Sequence, residues 1–286
     1  MKVAIIGGNG QLGTDLVETL SVENEVVGLN HADIEITDID NVKKVLTSIK
    51  PDIVLNTAAY HDVPKCEQLP EQAFKINGVG VLNLAKVCNN AGIRFLHYST
   101  DYVFDGKKQK PYTEEDSPNP LNVYGNTKLS GEYFTLNYCP QSFVVRVSGI
   151  YGKTPSRLKG GNFVTTMLKL AKEKSEVRVV NDEVLTPTPT YWIAKSTAEL
   201  IKTDAFGLYH MSCEGECSWY EFAKKIWETL ELKTPLYTAS VKDFPLLVKR
   251  PFYSVLDNGK LNKLINYPLP LWNKTLDDFL KKNFKK

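Results

Sequence analysis

Short apolar-rich runs and amphipathic stretches alternate along the first 150 residues. KVAIIG, EVVGLN, DIVLNTA, RFLHYST and SFVVRVSGIYG have the length and branched side chains of strands covered on both faces. Between them, apolar residues recur at the three- and four-residue spacing of a helix face, from Gln11, from Asp38, from Glu71 and near Pro120. Strand followed by helix, repeated, predicts an α/β fold: a Rossmann-type parallel sheet with helices on both faces and its chemistry at the carboxyl ends of the strands.

Beyond residue 150 the alternation loosens. EVRVVND and GLYHMS, near 176–182 and 207–212, read as later strands that rejoin the sheet, with helices near Asn162, Tyr191 and Ser218. From Pro235 to Trp272 the chain is rich in proline and aromatic residues. The expected division is a domain over 1–150 and, over 151–286, mainly a smaller C-terminal lobe, with no sharp linker and no internal repeat.

Composition narrows the function classes. With 42% hydrophobic and 24% charged residues and a formal charge of +2, the chain is of ordinary globular type. Its lysines are dispersed, and Lys107-Lys108 and Lys285-Lys286 read as solvated surface, so no nucleic-acid partner is expected. No membrane partner is expected either, because no apolar run reaches the roughly 18 residues of a spanning helix. The five scattered cysteines, and an opening MKVAIIGG that reads as a strand, point to the reducing cytoplasm. Cys213 and Cys217 in CEGEC lack zinc-ligand spacing and a second ligand pair, so no metal is expected there.

The first strand runs directly into GGNGQLG, which places Gly7, Gly10 and Gly13 at G-x-x-G-x-x-G spacing. A tight turn, close backbone approach to a pyrophosphate and close packing of the following helix each require glycine, and the helix start offers N–H groups and partial positive charge to that anion. The motif therefore predicts a dinucleotide-binding domain over 1–150. NAD-preferring folds commonly end their second strand in an acidic residue, but here EVVGLNHAD ends in Asn30 and His31, with no arginine to attract a 2′-phosphate. The choice between NADH and NADPH stays open. His97 and His210 fall inside strands and read as packed core, and His61 falls in a loop near the cofactor.

Three Tyr-x-x-x-Lys pairs occur: Tyr124/Lys128, Tyr191/Lys195 and Tyr220/Lys224. Only the first follows RFLHYST by one loop and so begins a helix beside the crevice; the others read as surface or packing pairs. A phenol with a pKa of about 10 is a poor acid at neutrality, and an ammonium one turn away would lower that value by about two units. A hydroxyl from Ser99 or Thr100 could polarise a substrate carbonyl.

GGNGQLG, DIVLNTAAY, KINGVG, STDYVFDG, PLNVYGNTKLSGE and RPFYSVLD together resemble the dTDP-4-dehydrorhamnose reductase family of the extended short-chain dehydrogenases/reductases, over nearly the whole chain. The resemblance implies NAD(P)H-dependent reduction of the 4-keto group of a nucleotide-activated 6-deoxy sugar. Thr100, Tyr124 and Lys128 would then be catalytic: Tyr124 as proton donor, Lys128 on the nicotinamide ribose, Thr100 orienting the carbonyl. Gly7, Asn9, Gly10, Gln11 and Leu12 would line the pyrophosphate, Glu35 and Ile36 the adenine, and Ala58, Ala59 and Tyr60 the nicotinamide side, with Asn77, Tyr124 and Lys128 also cofactor residues. Asp101, Tyr102, Asn162, Arg250 and Tyr253 would face the nucleotide-sugar substrate, Asn162 also capping a helix and Arg250 clamping the diphosphate. Trp192, Trp219, Trp227 and Trp272 read as core. A homodimer is compatible with this assignment.

Departures from the family fall on the substrate side. Gly149 replaces the tryptophan of an RTSW segment, Pro64 replaces an aspartate, Leu185-Thr186 stand where Gly-x-Pro-Thr is usual, and KTPSRLKGGNF is a longer connection. Two further readings remain. The chain is also similar to the NADP-binding regulatory beta subunit of methionine adenosyltransferase, and epimerases share the Tyr-x-x-x-Lys pair. Dehydratases carry TDE where this chain has Asp101-Tyr102.

Overall fold

The computed structural model describes residues 1–286 except 157–159, 245–247, 266 and 286, so the centre of the KTPSRLKGGNF connection lies outside the described residues. Chain order through the first part is β1 (Lys2–Ile6), α1 (Gln11–Leu20), β2 (Glu25–Leu29), α2 (Ile39–Ile49), β3 (Ile53–Asn56), α3 (Val63–Gln68), α4 (Pro70–Phe74), a π-helical turn (Lys75–Gly80), α5 (Val81–Asn90), β4 (Arg94–Thr100), α6 (Val123–Tyr138) and β5 (Ser142–Val147). There follow β6 (Ile150–Tyr151), α7 (Phe163–Glu173), β7 (Val177–Val180), β8 (Val184–Leu185), β9 (Thr188–Pro189), α8 (Thr190–Leu200), β10 (Gly207–His210), β11 (Cys217–Ser218), α9 (Trp219–Leu230), β12 (Leu236–Ala239), α10 (Gly259–Asn262) and α11 (Trp272–Asn283).

Six parallel strands form the main sheet in the order β10-β5-β4-β3-β1-β2. Alternate residues of β1 feed two cores. Val3 and Ile5 pack with Leu12, Leu16 and Leu20 of α1 and Ile193 of α8, while Ala4 and Ile6 pack with Val42 and Leu46 of α2 and Leu84 of α5. Burial on both faces is why β1 reads as an unbroken apolar run. Because β1 is followed by β2 on one side and β3 on the other, a crevice opens beyond their carboxyl ends.

Helix starts are fixed by side chains. Asp38 accepts from Asp40 N and Asn41 N ahead of α2, and Asn122 from Gly125 N ahead of α6. Ser218 and Glu221 form a capping box on α9.

Of the two later strands expected in the sheet, β10 lies beside β5, but β7 pairs with β12 in a separate two-stranded sheet. Its apolar residues serve a different core: Val177 and Val179 pack with Tyr151, Val164 and Met167 and with Phe222, Ile226 and Leu276 of α9 and α11. An apolar run of strand length does not say which sheet it joins. The lobe therefore has its own interior, and it closes over the crevice from the carboxyl edge.

Candidate active site

A crevice of about 1310 Å³ runs along the strand ends and under the lobe. Its floor is the GGNGQLG turn. Gly7 has φ +80°, and the N–H groups of Gly7 and Gly8 both donate to Leu29 O, at 2.8 and 3.0 Å. Gly10 caps α1 without a side-chain bond, so side chains leave the first-turn N–H groups to whatever lies in the crevice. At Gly13 a Cβ would stand 2.0 Å from Gly7 O, which only an opened turn could relieve. The turn is thus a cradle that side chains would fill, and it fits a pyrophosphate. Gly13→Ala is expected to weaken NADPH and NADH binding at least about tenfold by titration calorimetry; unchanged affinity would show that the turn does not hold the cofactor.

Asn9, Gln11 and Leu12 also line this end, and Gln11 Nε2 donates to Ile150 O at 3.2 Å. Further along are Asn30, His31, Glu35 and Ile36. The Glu35 carboxylate is partly desolvated, but Thr37 N and Oγ1 donate to it and His31 lies 3.6 Å away, and together they hold its pKa below the usual range. Lys75, which sequence reasoning did not single out, lines the same stretch.

Ala58, Ala59 and Tyr60 leave β3 along the crevice wall. Asn77 does not line it. Its amide accepts from Tyr60 N at 2.7 Å and donates to Tyr60 O and Thr127 Oγ1, both at 2.9 Å. A buried amide with these partners fixes the Tyr60 loop against α6. The π-helical turn that carries it points Asn77 inward, a local geometry that residue spacing does not disclose.

Thr100, Tyr124 and Lys128 come together at the centre. Thr100 ends β4; Tyr124 stands in the first turn of α6, where its phenol is near enough to the Thr100 hydroxyl to feel it and its ring meets Tyr102 edge-on at 6.0 Å. Ser99 donates to Glu132 and Thr100 to Asp101, and of the two it is Thr100 that lies beside the Tyr124 phenol.

One expectation fails. Tyr124 is not acidified here: burial holds its pKa above the ordinary phenol value, against a smaller lowering by Thr100. Lys128 is turned to β4, donating to Tyr98 O at 2.6 Å and lying 3.2 Å from His97 Nε2. Burial brings the amine down to about 7, against an opposing pull from Glu132. His97 was read as packing and proves to be the lysine's neighbour.

On the substrate side, Asp101 lines the crevice but its oxygens face inward. Oδ1 accepts from Thr100 Oγ1 at 3.1 Å, and Oδ2 from Ser148 Oγ at 3.0 Å and Ser254 Oγ at 2.6 Å. This carboxylate joins the ends of β4 and β5 to the C-terminal segment, so its role is to position its neighbours. Burial raises its pKa, against those three hydroxyls.

Tyr253 is outside the crevice. Its hydroxyl bonds Glu216 and its ring packs beside Phe104, Tyr112 and Leu256, because the extended segment alternates and gives Ser254 the inward position. Asn162 caps α7 in a capping box while Nδ2 donates to Gly152 O at 2.9 Å. Arg250 is exposed on the crevice rim, where its charge partly offsets the burial that raises the pKa of Glu183 and of Tyr102.

Trp219 lines the crevice while packing on Phe163 at 4.7 Å, so it is not simply core. Gly149 adopts φ +53°, and a Cβ there would stand 2.7 Å from Leu185 Cδ1. Leu185 thus fills the space beside Gly149, and Trp219 of α9 gives the crevice an aromatic surface.

Among the described residues no group of three or more His, Cys, Asp or Glu could hold a metal ion, and no helix is long and apolar enough to cross a membrane. All five cysteines are buried and unpaired by disulfides.

The family model described as RmlD substrate binding domain matches residues 1–284. The spore coat polysaccharide biosynthesis protein SpsK of Bacillus subtilis is 37% identical over 98% of this chain and 96% of its own. The dTDP-4-dehydrorhamnose reductase of Escherichia coli K12 is 36% identical over 95% and 94%. Among solved structures, the dTDP-4-dehydrorhamnose reductase of Bacillus anthracis in complex with NADP superposes with a TM-score of 0.94 at 36% identity, covering 98% of this chain and 99% of that one.

Proposed function

Because the chain belongs to the RmlD substrate binding domain family, we propose that it is an NAD(P)H-dependent reductase converting dTDP-4-dehydro-L-rhamnose to dTDP-L-rhamnose. The observation that carries this reading is that Thr100, Tyr124 and Lys128 line the same crevice as an uncapped glycine turn.

Bound in the crevice, the cofactor supplies a hydride to the sugar's C4. Gly7, Gly10 and the first turn of α1 hold its pyrophosphate, with Gln11 tying this turn to the start of β6. Ala58, Ala59 and Tyr60 form the nicotinamide side, the last fixed by Asn77. Thr100 orients the carbonyl oxygen, and Tyr124 gives that oxygen its proton as the carbon is reduced. Asp101 keeps Thr100 in place through a hydrogen bond. Tyr102, Trp219 and Arg250 line the way out toward the nucleotide, Arg250 as the cation for the diphosphate.

No carboxylate ends β2, since Asn30 stands there and Asp33 is folded back to accept from Asn30 N at 2.8 Å. His31 and Lys75 supply cationic character nearby. We therefore expect both NADPH and NADH to serve. The test is the loss of cofactor absorbance with each nucleotide and dTDP-, UDP- or GDP-linked 4-keto-6-deoxy sugars. Turnover of the dTDP sugar supports the reading. Tight NADPH binding with turnover of none would favour the regulatory-subunit alternative.

A further inference from the structure

Lys128 and His97 meet in a buried slot beneath the catalytic hydroxyls. The imidazole reaches α6 because Gly131 carries no side chain: a Cβ there would stand 3.0 Å from Nε2. Nε2 lies 3.2 Å from Lys128 Nζ, and Nδ1 lies 3.2 Å from Nδ2 of Asn56 at the end of β3. The Asn56 amide is oriented by its other end, since Oδ1 accepts from Ala58 N at 3.1 Å. Its NH₂ group therefore faces the ring, and an NH₂ group only donates. Nδ1 must present a lone pair. Burial holds the His97 pKa well below the usual value, so the ring is neutral and carries its one proton on Nε2. That N–H points at Lys128, and an ammonium has no lone pair to receive it.

We infer that Asn56 and His97 act as positioning residues that hold Lys128 as the uncharged amine, its nitrogen accepting from His97 Nε2–H while it donates to Tyr98 O, and that protonation drives the lysine off the ring toward the crevice. Charging Lys128 in place would set two N–H groups head to head at Nε2 or, after a change of tautomer, at Nδ1 against Asn56. The other titratable groups around it are few. Glu132 on its own helix favours the ammonium but is engaged by Arg146 and Ser99; β4 presents His97, and the Tyr98 hydroxyl bonds Thr197 on the far face; Tyr124 and Asp101 stand on the crevice side.

The inference rests on the reductase reading and deepens it. After Tyr124 has passed its proton to the substrate oxygen, the Lys128 ammonium returns one to the phenolate. The resulting amine withdraws onto His97 until a proton from solvent recharges it.

The test is ¹⁵N NMR of the full chain labelled at its four histidines, with His97 assigned by its loss in His97→Asn or, should that variant not fold, by elimination through His31→Gln, His61→Gln and His210→Gln. The expected result is a neutral ring protonated on Nε2 from about pH 6 to about pH 8; a proton on Nδ1, or an imidazolium, overturns the inference. Asn56→Asp offers Nδ1 an acceptor and should move the proton there. In turnover, activity that needs the ammonium falls as pH rises through the lysine's pKa of about 7. In His97→Asn the new amide can turn its oxygen to the ammonium, so this alkaline limb should move up by about one unit or more. An even loss at all pH values with the limb unmoved would mean that His97 only packs. The tautomer is read without turnover, so an inactive chain with the Nε2–H tautomer would sink the reductase reading alone.

Discussion

Tyr124→Phe is expected to lower kcat by about 10²–10⁴-fold while leaving the melting temperature and the cofactor affinity close to those of the parent chain. The phenyl ring keeps the edge-on contact with Tyr102, and Asn122 still caps α6, so the fold has no reason to respond. What is lost is the hydroxyl that stands near Thr100 in the crevice. Because burial keeps this phenol protonated well past neutrality, it is stocked as an acid but is a reluctant one. A positive charge must approach it for fast transfer, and Lys128 on the same helix is the group placed to do so. The assay is cofactor absorbance under saturating dTDP sugar. A Tyr124→Phe chain within a factor of about five of the parent rate would remove the phenol from the chemistry.

The largest stability effect is expected at Glu132. This carboxylate and the Arg146 guanidinium are each only 3% exposed. Arg146 Nε and Nη2 donate to its two oxygens at 2.9 and 2.6 Å, and the guanidinium lies 4.9 Å over the Phe104 ring. Glu132→Ala would strand a buried cation and the Ser99 hydroxyl, at a cost of about 3–5 kcal/mol. At about 2–4 °C per kcal/mol for a chain of this size, the melting temperature should fall by about 6–20 °C. Replacing both partners, Glu132→Leu with Arg146→Met, should recover much of the loss, because no charge is then left without a partner. A drop below about 2 °C in calorimetry for the single variant would show that the slot admits water and that the pair contributes little.

The sheet was legible in the sequence because strands covered on both faces are mostly apolar: β1 and β3 hold the runs Val3–Ile6 and Ile53–Leu55, and β5 is broken only by its first residue and by Arg146. The glycine turn was legible because Gly7 and Gly13 answer backbone geometry that other residues cannot meet. Tyr124 could be separated from Tyr191 and Tyr220 by the strand before it. Lys195 indeed lies over the Tyr191 and Trp192 rings, at 5.3 and 4.9 Å, as a packing pair. Other features depend on neighbours distant along the chain. Whether β7 joins the main sheet depends on β12, 59 residues further on by Val177 to Leu236. Asn77 was matched to a cofactor role by its motif, yet its partners Tyr60 and Thr127 are set by the π-helical turn. His97 looked like packing because a histidine within a strand carries no mark of the lysine 31 residues away that it will face.

The Asp101 carboxylate has a practical consequence for anyone recombining these enzymes. Thr100, Ser148 and Ser254 all bond to this one side chain, so the hydroxyl proposed to orient the carbonyl shares its anchor with the C-terminal segment. A sugar-recognition module grafted from a relative would have to bring its own hydroxyl to the place of Ser254. Otherwise the graft would loosen Thr100 as well as alter the pocket, and swapping the module would slow turnover even of a sugar it recognised perfectly.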